Sequence, residues 1–203
     1  MTSARSDELP LTVFQYLVAQ FGNRERRRLT LSMLLECADL GESGWSKIGE
    51  KSWRTGVGRA RSEPLLRART AGTFTAGRSM KHVDPDRWVI VKIVPLASIA
   101  DAQIELPLTR FHLIMKPTAE GLIEPEEIIT AVATQGLTEA IVTERFAAVD
   151  RKRRQYRCVI SRVDQVVFMS MCSGYVDGWT WAEVVRVASK QAEKIRRVLD
   201  EGS

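Results

Sequence analysis

The sequence has few of the residues that mark metal-binding, disulfide-stabilised or membrane-spanning proteins. Among its 203 residues are only two histidines, His82 and His112, which share no ligand spacing. None of the cysteines belongs to a CxxC pair, so neither a metal site nor a cofactor is expected. The apolar stretch at residues 11–21 is too short to cross a bilayer and is interrupted by polar side chains.

The three cysteines, Cys37, Cys158 and Cys172, form an odd and sparse set. A bridge between Cys158 and Cys172 is one alternative if they lie on neighbouring strands. Three buried free thiols in a reducing compartment is the favoured interpretation. Since residues 1–10 also lack the long apolar segment of a signal peptide, a cytoplasmic location is expected.

No motif for catalysis is present. The sequence lacks a G-x-S-x-G elbow and a paired-carboxylate signature, and the GVGRAR segment at residues 56–61 lacks the Lys-Ser/Thr ending of a phosphate-binding loop. Glu126 and Glu127 are interpreted as charges at a helix start, and Asp84 and Asp86 as turn residues. Enzymatic activity is therefore not expected, although an enzyme with an unrecognised site stays an alternative.

The charge balance is moderately basic. Thirty Lys and Arg against 25 Asp and Glu give a net charge of +5, within the 27% charged and 44% hydrophobic content of an ordinary globular protein. A solvated surface is favoured over a binding patch, and an acidic protein, nucleic acid or membrane surface is the alternative partner. Much of the positive charge sits in two runs: Arg24, Arg26, Arg27 and Arg28, then Arg151, Lys152, Arg153 and Arg154.

Hydrophobic periodicity predicts the same order of elements twice: helix, strand, strand, strand, helix. The last helix begins at a capping box, Thr180 and Glu183, and Pro107 is expected to end the helix of the first half. An apolar segment within residues 108–122 is a further strand candidate. The predicted elements are residues 31–40, 45–55, 73–83, 87–95 and 98–106, then 124–135, 137–149, 155–163, 166–173 and 180–199.

This order predicts an α+β fold. Short connections make each group of three strands an antiparallel meander, and the two groups form a sheet of about six strands with helices packed on it. We expect residues 1–30 to be an N-terminal helix with a basic connector. Residues 31–203 are expected to be one domain of two pseudo-repeated αβββα halves, 31–116 and 122–203.

The two strands at residues 155–173 read as buried on both faces. Val159 and Val163 alternate with Cys158 and Ile160, so that each face is apolar. One face is expected to carry the C-terminal helix, and the other face another helix or the partner half.

Tryptophan and arginine provide the candidate ligand site. Trp45 and Trp53 are eight residues apart and share a face if their strand is regular. With Arg54, Arg69 and Arg78 they could line a pocket for an anionic or aromatic ligand. Packing in the core is the alternative for each tryptophan.

Three segments carry a resemblance to a known family. The three segments are GWSKIGEKSWRTG, RWVIVKIVPLASIADAQ, and a late Gly-Trp-x-Trp followed by Ala-x-x-Gln-x-x-Lys-Ile. They resemble segments of actinobacterial sensor-like domains. These domains are similar to the extracellular domain of a mycobacterial receptor kinase and to related lipoproteins. Over about residues 31–200, the resemblance implies a two-lobed α+β fold with a central cleft. Such domains are normally exported and disulfide-bonded, so this chain would be a cytoplasmic relative.

We therefore expect a non-catalytic, ligand-sensing or interaction domain whose partner is an unknown small molecule or protein. The first alternative is a basic adaptor that docks on an acidic protein, nucleic acid or membrane surface.

Overall fold

The computed structural model describes residues 23–54, 74–83, 87–114, 127–130, 132–134, 136–149 and 152–201. Within these residues the chain forms three α-helices and a seven-stranded sheet. The helices are α1 (Asn23–Ser32), α2 (Ile99–Ile114) and α3 (Trp181–Glu201), with a 3-10 helix at Cys37–Leu40. The strands are β1 (Trp45–Arg54), β2 (Phe74–His82), β3 (Trp88–Pro95), β4 (Glu127–Ile128), β5 (Thr138–Val149), β6 (Lys152–Val163) and β7 (Val166–Tyr175).

The sheet joins two antiparallel meanders edge to edge. Its strand order is β1-β2-β3-β7-β6-β5-β4, and every neighbouring pair is antiparallel. The α+β class and a sheet of six long strands are confirmed, with the two-residue β4 added at one edge. The pseudo-repeat itself is not confirmed, because β4 lies where the second half was expected to begin with a helix at residues 124–135.

Each face of the sheet carries its own core. Alternation along β6 sends Val159 and Val163 to the face covered by α1 and α3, which we call the front face. Cys158 and Ile160 lie on the opposite, back face, which is partly covered by α2. The prediction that this hairpin is buried on both faces is therefore confirmed.

Helix α3 packs the front face through one apolar stripe. Thr180 and Glu183 form the predicted capping box: the Glu183 Oε2 accepts from the Thr180 backbone N–H at 2.7 Å, and the Thr180 hydroxyl accepts from the Glu183 N–H at 3.3 Å. The buried stripe of α3 begins at Val184, and Trp181 at the start of the helix is only half-buried. Its buried residues are Val184, Val187, Ala188, Gln191, Ala192, Ile195 and Leu199.

Helix boundaries near the N-terminus differ from the prediction. The basic run after residue 23 is not a connector, since it forms the first turns of α1. The helix expected at residues 31–40 is split into the end of α1 and the 3-10 helix, which closes at Gly41 with φ of 79°. Helix α1 runs across residue 30, and the division into residues 1–30 and 31–203 stays a prediction.

Pro107 lies inside α2 rather than after it. A proline in a helix leaves the carbonyl four residues earlier, that of Gln103, without its N–H donor. Both Pro107 and Gln103 are on the exposed side of the helix, where water satisfies such a group at little cost. The helix therefore continues to Ile114, and the strand candidate within residues 108–122 is wrong over its described part.

The cysteines are all free. Cys158 is paired in register with Met171, and Cys172 with Arg157, so the two thiols lie on opposite faces of the sheet and cannot be bridged. Burial raises the pKa of the Cys172 thiol well above its usual range. Cys37 is half-buried, whereas the sequence had suggested that all three were buried.

No helix among the described residues is long and apolar enough to span a membrane.

Candidate functional site

The structure separates the predicted tryptophan and arginine residues. Trp45 pairs with His82 and Trp53 with Thr75, and a bulge between Lys47 and Gly49 shifts the register between them. His82 and Thr75 are seven residues apart on β2, so positions 45 and 53 lie on opposite faces of the sheet. Arg54 ends β1, and Arg69 lies outside the described residues.

Arg78 is a structural residue of the front face. Arg78 is 7% exposed, and its guanidinium forms an ion pair with Glu50, with Nε 2.7 Å from the carboxylate. Its Nη1 donates to the backbone carbonyl of Leu35 at 2.8 Å and to that of Leu34 at 3.2 Å. These contacts hold the chain after α1 onto β2, and they use the donors that a ligand would need.

Trp45 belongs to a second front-face cluster. Its ring is 6.0 Å from that of Trp179, and the Arg87 guanidinium stacks 3.6 Å from the centre of the Trp179 ring. Arg87 also donates to Glu183 at 2.8 Å. The cavity that Trp45, Arg87 and Trp179 help to line has a volume of about 10 Å³, about what one water occupies, so this cluster packs and does not enclose a ligand.

Arg87 and the capping hydrogen bonds control the ionisation of Glu183. Burial on its own would raise the pKa of this carboxyl, but hydrogen bonds from Thr180 and the Arg87 charge hold it below the ordinary value of 4.5. A folded-state pKa below the unfolded one stabilises the protein above pH 4.5, and this stabilisation is lost as the pH falls through the folded-state pKa.

We therefore expect Glu183→Gln to lose stability mainly above pH 4.5 and to approach the wild type in acid. Glutamine keeps the capping geometry but not the charge. Urea unfolding measured across this pH range checks the prediction. A constant difference between the two proteins from neutral pH to strong acid would contradict it.

A shallow depression of about 320 Å³ lies between the 3-10 helix and α3. Its charged groups are largely paired: Lys194 Nζ is 2.5 Å from Asp39, and Lys190 donates to the Asp39 carbonyl at 2.7 Å. It is lined by Leu35, Asp39, Lys190, Glu193, Lys194 and Arg197.

The two basic runs do not form one surface. Arg24, Arg27 and Arg28 are exposed on α1, which packs near β2 on the front side. Arg153 lies over the ring of Phe146, on the front face but towards the other edge of the sheet. Strands β2 and β6 are three strand spacings, or about 14 Å, apart. Arg26 is half-buried on α1. Lys152 begins β6, and Arg151 lies outside the described residues.

The back face carries a row of cationic and aromatic residues that crosses five strands. Lys81 pairs with Trp88, Trp88 with Ser173, Ser173 with Tyr156, and Tyr156 with Arg145. Directly paired residues project to the same side of a sheet, so these five side chains share the back face. We call them the back-face row.

Cations lie over the rings of this row. Lys81 Nζ is 5.3 Å and the Arg154 guanidinium 5.4 Å from the Trp88 ring centre. Arg145 is 5.1 Å from the centre of the Tyr156 ring. Arg154 on β6 is paired in register with Tyr175 on β7 and also lies near its ring. Tyr175 is 41% exposed. Helix α2 packs at the other end of the face, over Val167 and Met169.

The described strand positions of the back face carry more cations than carboxylates. Among the described strand positions of this face, Glu139 is the one carboxylate, and it is bound by Arg162 at 2.8 Å. Hydrogen bonds from Arg162 and then Gln103 lower the pKa of Glu139 to about 2, so it stays ionised and paired. The cations on these positions are Lys51, Lys81, Lys92, Arg145, Arg154 and Arg162.

Sequence reasoning found only Arg154 of this surface, as part of a basic run. Its aromatic partners Trp88 and Tyr175 are 66 and 21 residues away in the chain. The available signal was the alternation of strand residues, which places 154 and 156 on one face. Which strands are neighbours could not be read from that pattern.

The fold and the back-face row define a class: an α+β domain with an antiparallel sheet, helices on both faces and a cationic surface on one of them. No protein-family profile matches the chain, and no curated protein matches it significantly. Solved structures do. The chain is similar to the extracellular domain of PknH from Mycobacterium tuberculosis, with a TM-score of 0.56 and 12% identity, over 84% of this chain and 96% of that one.

An uncharacterised Mycobacterium smegmatis protein, the Rv0999 ortholog, matches with a TM-score of 0.41 and 9% identity, over 92% of this chain and 96% of that one. The resemblance to a mycobacterial extracellular domain is thus confirmed for the fold alone. The cytoplasmic location expected from the sequence is contradicted, because the structure that shares this fold is an extracellular domain.

Proposed function

We propose that this domain binds and senses an anionic ligand on the back-face row without transforming it. The observation that carries the proposal is the back-face row together with Arg154 beside it: Lys81 and Arg154 lie near the Trp88 ring, and Arg145 lies near the Tyr156 ring. A cation held near an aromatic ring stays positively charged, so these residues add positive potential to this face. Glu139, the carboxylate among the described strand positions of this face, is already bound by Arg162, so it does not oppose an incoming anion.

An extracytoplasmic location is part of this proposal. It is supported by the extracellular origin of the domain with the same fold. Protease added to intact cells should cleave an epitope-tagged full-length protein, while a cytoplasmic marker in the same cells stays intact. Equal protection of both would overturn the location and leave the anion-binding proposal to be tested on the purified protein.

The adaptor function is less well supported by the geometry. An adaptor that docks through both basic runs needs them on one surface. Arg24 and Arg27 are on α1 near β1 and β2, whereas Arg153 is about three strand spacings away over Phe146 and Arg154 is on the back face. The separation of the runs favours the back-face row as the binding surface.

The test is a thermal-shift screen with anionic probes, from inorganic phosphate and citrate to acidic polymers, at low and high ionic strength. We expect at least one probe to raise the Tm of the wild type, and the shift to shrink at high salt. The double variant R145Q/R154Q should lose this shift. R24Q/R186Q removes the same charge from exposed front-side positions and should keep it.

Two results would overturn the proposal. One is that no anionic probe raises the Tm of the wild type. The other is that a probe raises the Tm of R145Q/R154Q as much as that of the wild type and of R24Q/R186Q, because the back-face row would then not be its binding surface.

A further inference from the structure

Two buried N–H donors in the front-face cluster around Trp45 have no acceptor. They are the indole Nε1–H of Trp45 and the guanidinium Nε–H of Arg87, and neither is hydrogen-bonded to a residue that the structure describes. Arg87 is only 8% exposed, and its Nη2 is already bound to Glu183 at 2.8 Å. A buried donor without an acceptor is destabilising, so an occupant that accepts from both groups would stabilise the fold.

One cavity adjoins both of these side chains. Trp45 and Arg87 line the space of about 10 Å³ that is bounded on its other sides by the Trp179 ring and by Val187 on α3. This volume admits one atom-sized occupant and no organic ligand. A single small acceptor placed here is therefore the simplest partner for the two donors.

The charges around the cavity favour an anion as that acceptor. The described residues that line it include three cations, Arg87, Arg186 and Lys190, and one carboxylate, Glu42. With Glu183, which is bound to Arg87, the carboxylates number two, and one positive charge is left over. A monovalent anion would balance this charge, and unlike water it needs no acceptors for hydrogens of its own.

We propose that this cavity binds a single chloride ion, which accepts hydrogen bonds from Trp45 Nε1 and Arg87 Nε. Hydrogen bonds to an ion are stronger than those to a neutral acceptor. The ion would connect the start of β1 to the residue before β3 and, through Glu183, to the start of α3. This site is separate from the back-face row, so the inference does not depend on the proposed function.

Long-wavelength anomalous diffraction from crystals grown in sodium chloride tests the identity of the occupant, because chlorine scatters anomalously there and oxygen does not. We expect an anomalous peak within hydrogen-bond reach of both Trp45 Nε1 and Arg87 Nε. In solution, replacing sodium gluconate with sodium chloride at constant ionic strength should raise the Tm of the wild type. Gluconate is too large for the cavity, so only chloride would bind and stabilise the folded state.

Trp45→Phe removes one of the two donors and keeps an aromatic ring. We expect it to weaken chloride binding about tenfold, as obtained from the dependence of the Tm on chloride concentration. Trp181→Phe is the matched control, because Trp181 lies near Arg157 and not against this cavity, and it should keep the wild-type dependence. R145Q/R154Q should also keep it. Thermal melting of each variant in gluconate checks that the fold is intact.

Four results would overturn this inference. The first is density at the site without an anomalous signal, which would show water only. The second is an anomalous peak with equal Tm values in chloride and gluconate, which would show binding at crystal concentration only. The third is an unchanged chloride dependence in W45F. The fourth is loss of that dependence in R145Q/R154Q, which would place the ion on the back face and leave the proposed function in place.

Discussion

Val167→Asp is expected to abolish the native fold. Val167 lies in β7 with no exposed surface and packs on the back face with Val94, Leu106 and Met169 beneath α2. A carboxylate at this position would be buried without a partner, at a cost of at least several kcal/mol. Domains of this size are stable by only about 5–15 kcal/mol, so most of that stability would be lost.

Circular dichroism melting and urea unfolding measure this effect. Val83→Asp is the matched control, because Val83 is 79% exposed and the same substitution there should change stability by less than about 0.5 kcal/mol. Val167→Ala should retain the fold at a cost of about 2 kcal/mol. A folded V167D protein with a cooperative transition near that of the wild type would show that this face is not the second core.

Arg78→Leu is expected to lower the free energy of unfolding by about 3 kcal/mol. Leucine removes the partner of the Glu50 carboxylate and the donor to the Leu34 and Leu35 carbonyls. Because the Glu50 side chain is 27% exposed, water partly replaces the lost ion pair, and the loss falls at the lower end of the range for buried pairs. Arg24→Leu, at an exposed position of α1, is the control and should cost little.

The same variant tests the ligand-binding role that the sequence suggested for Arg78. If Arg78 were a ligand contact and not an anchor, R78L would unfold with a free energy close to that of R24L but would lose the thermal shift produced by anionic probes. The contacts of Arg78 lead us to expect the reverse: a lowered unfolding free energy with the probe-induced shift retained.

The candidate site was harder to predict than the strands that carry it. The prediction that Trp45 and Trp53 share one face assumed a regular strand. One bulged residue, Ile48, was enough to place these positions on opposite faces of the sheet. Gly49 adjoins this bulge, and an isolated glycine within a strand pattern is a signal for one that the sequence interpretation did not use. Arg78 was selected as a site residue because it is an arginine near tryptophans in the chain, although its alternation with Ala76 and Met80 already placed it on a core-facing side of β2.

Sequence alone determined the six long strands, their grouping into two meanders, the C-terminal helix with its capping box, and the burial of β6 and β7 on both faces. These features depend on residues close together in the chain, where period and turn chemistry act directly. Tertiary structure decided what depends on distant residues. It joined β3 to β7, which brought Trp88 beside Arg154, and it put Cys158 and Cys172 on opposite faces. It also placed the two-residue edge strand β4 within the predicted helix at residues 124–135. Strand neighbours and register are set by packing and backbone pairing between remote segments, and local periodicity carries no record of them.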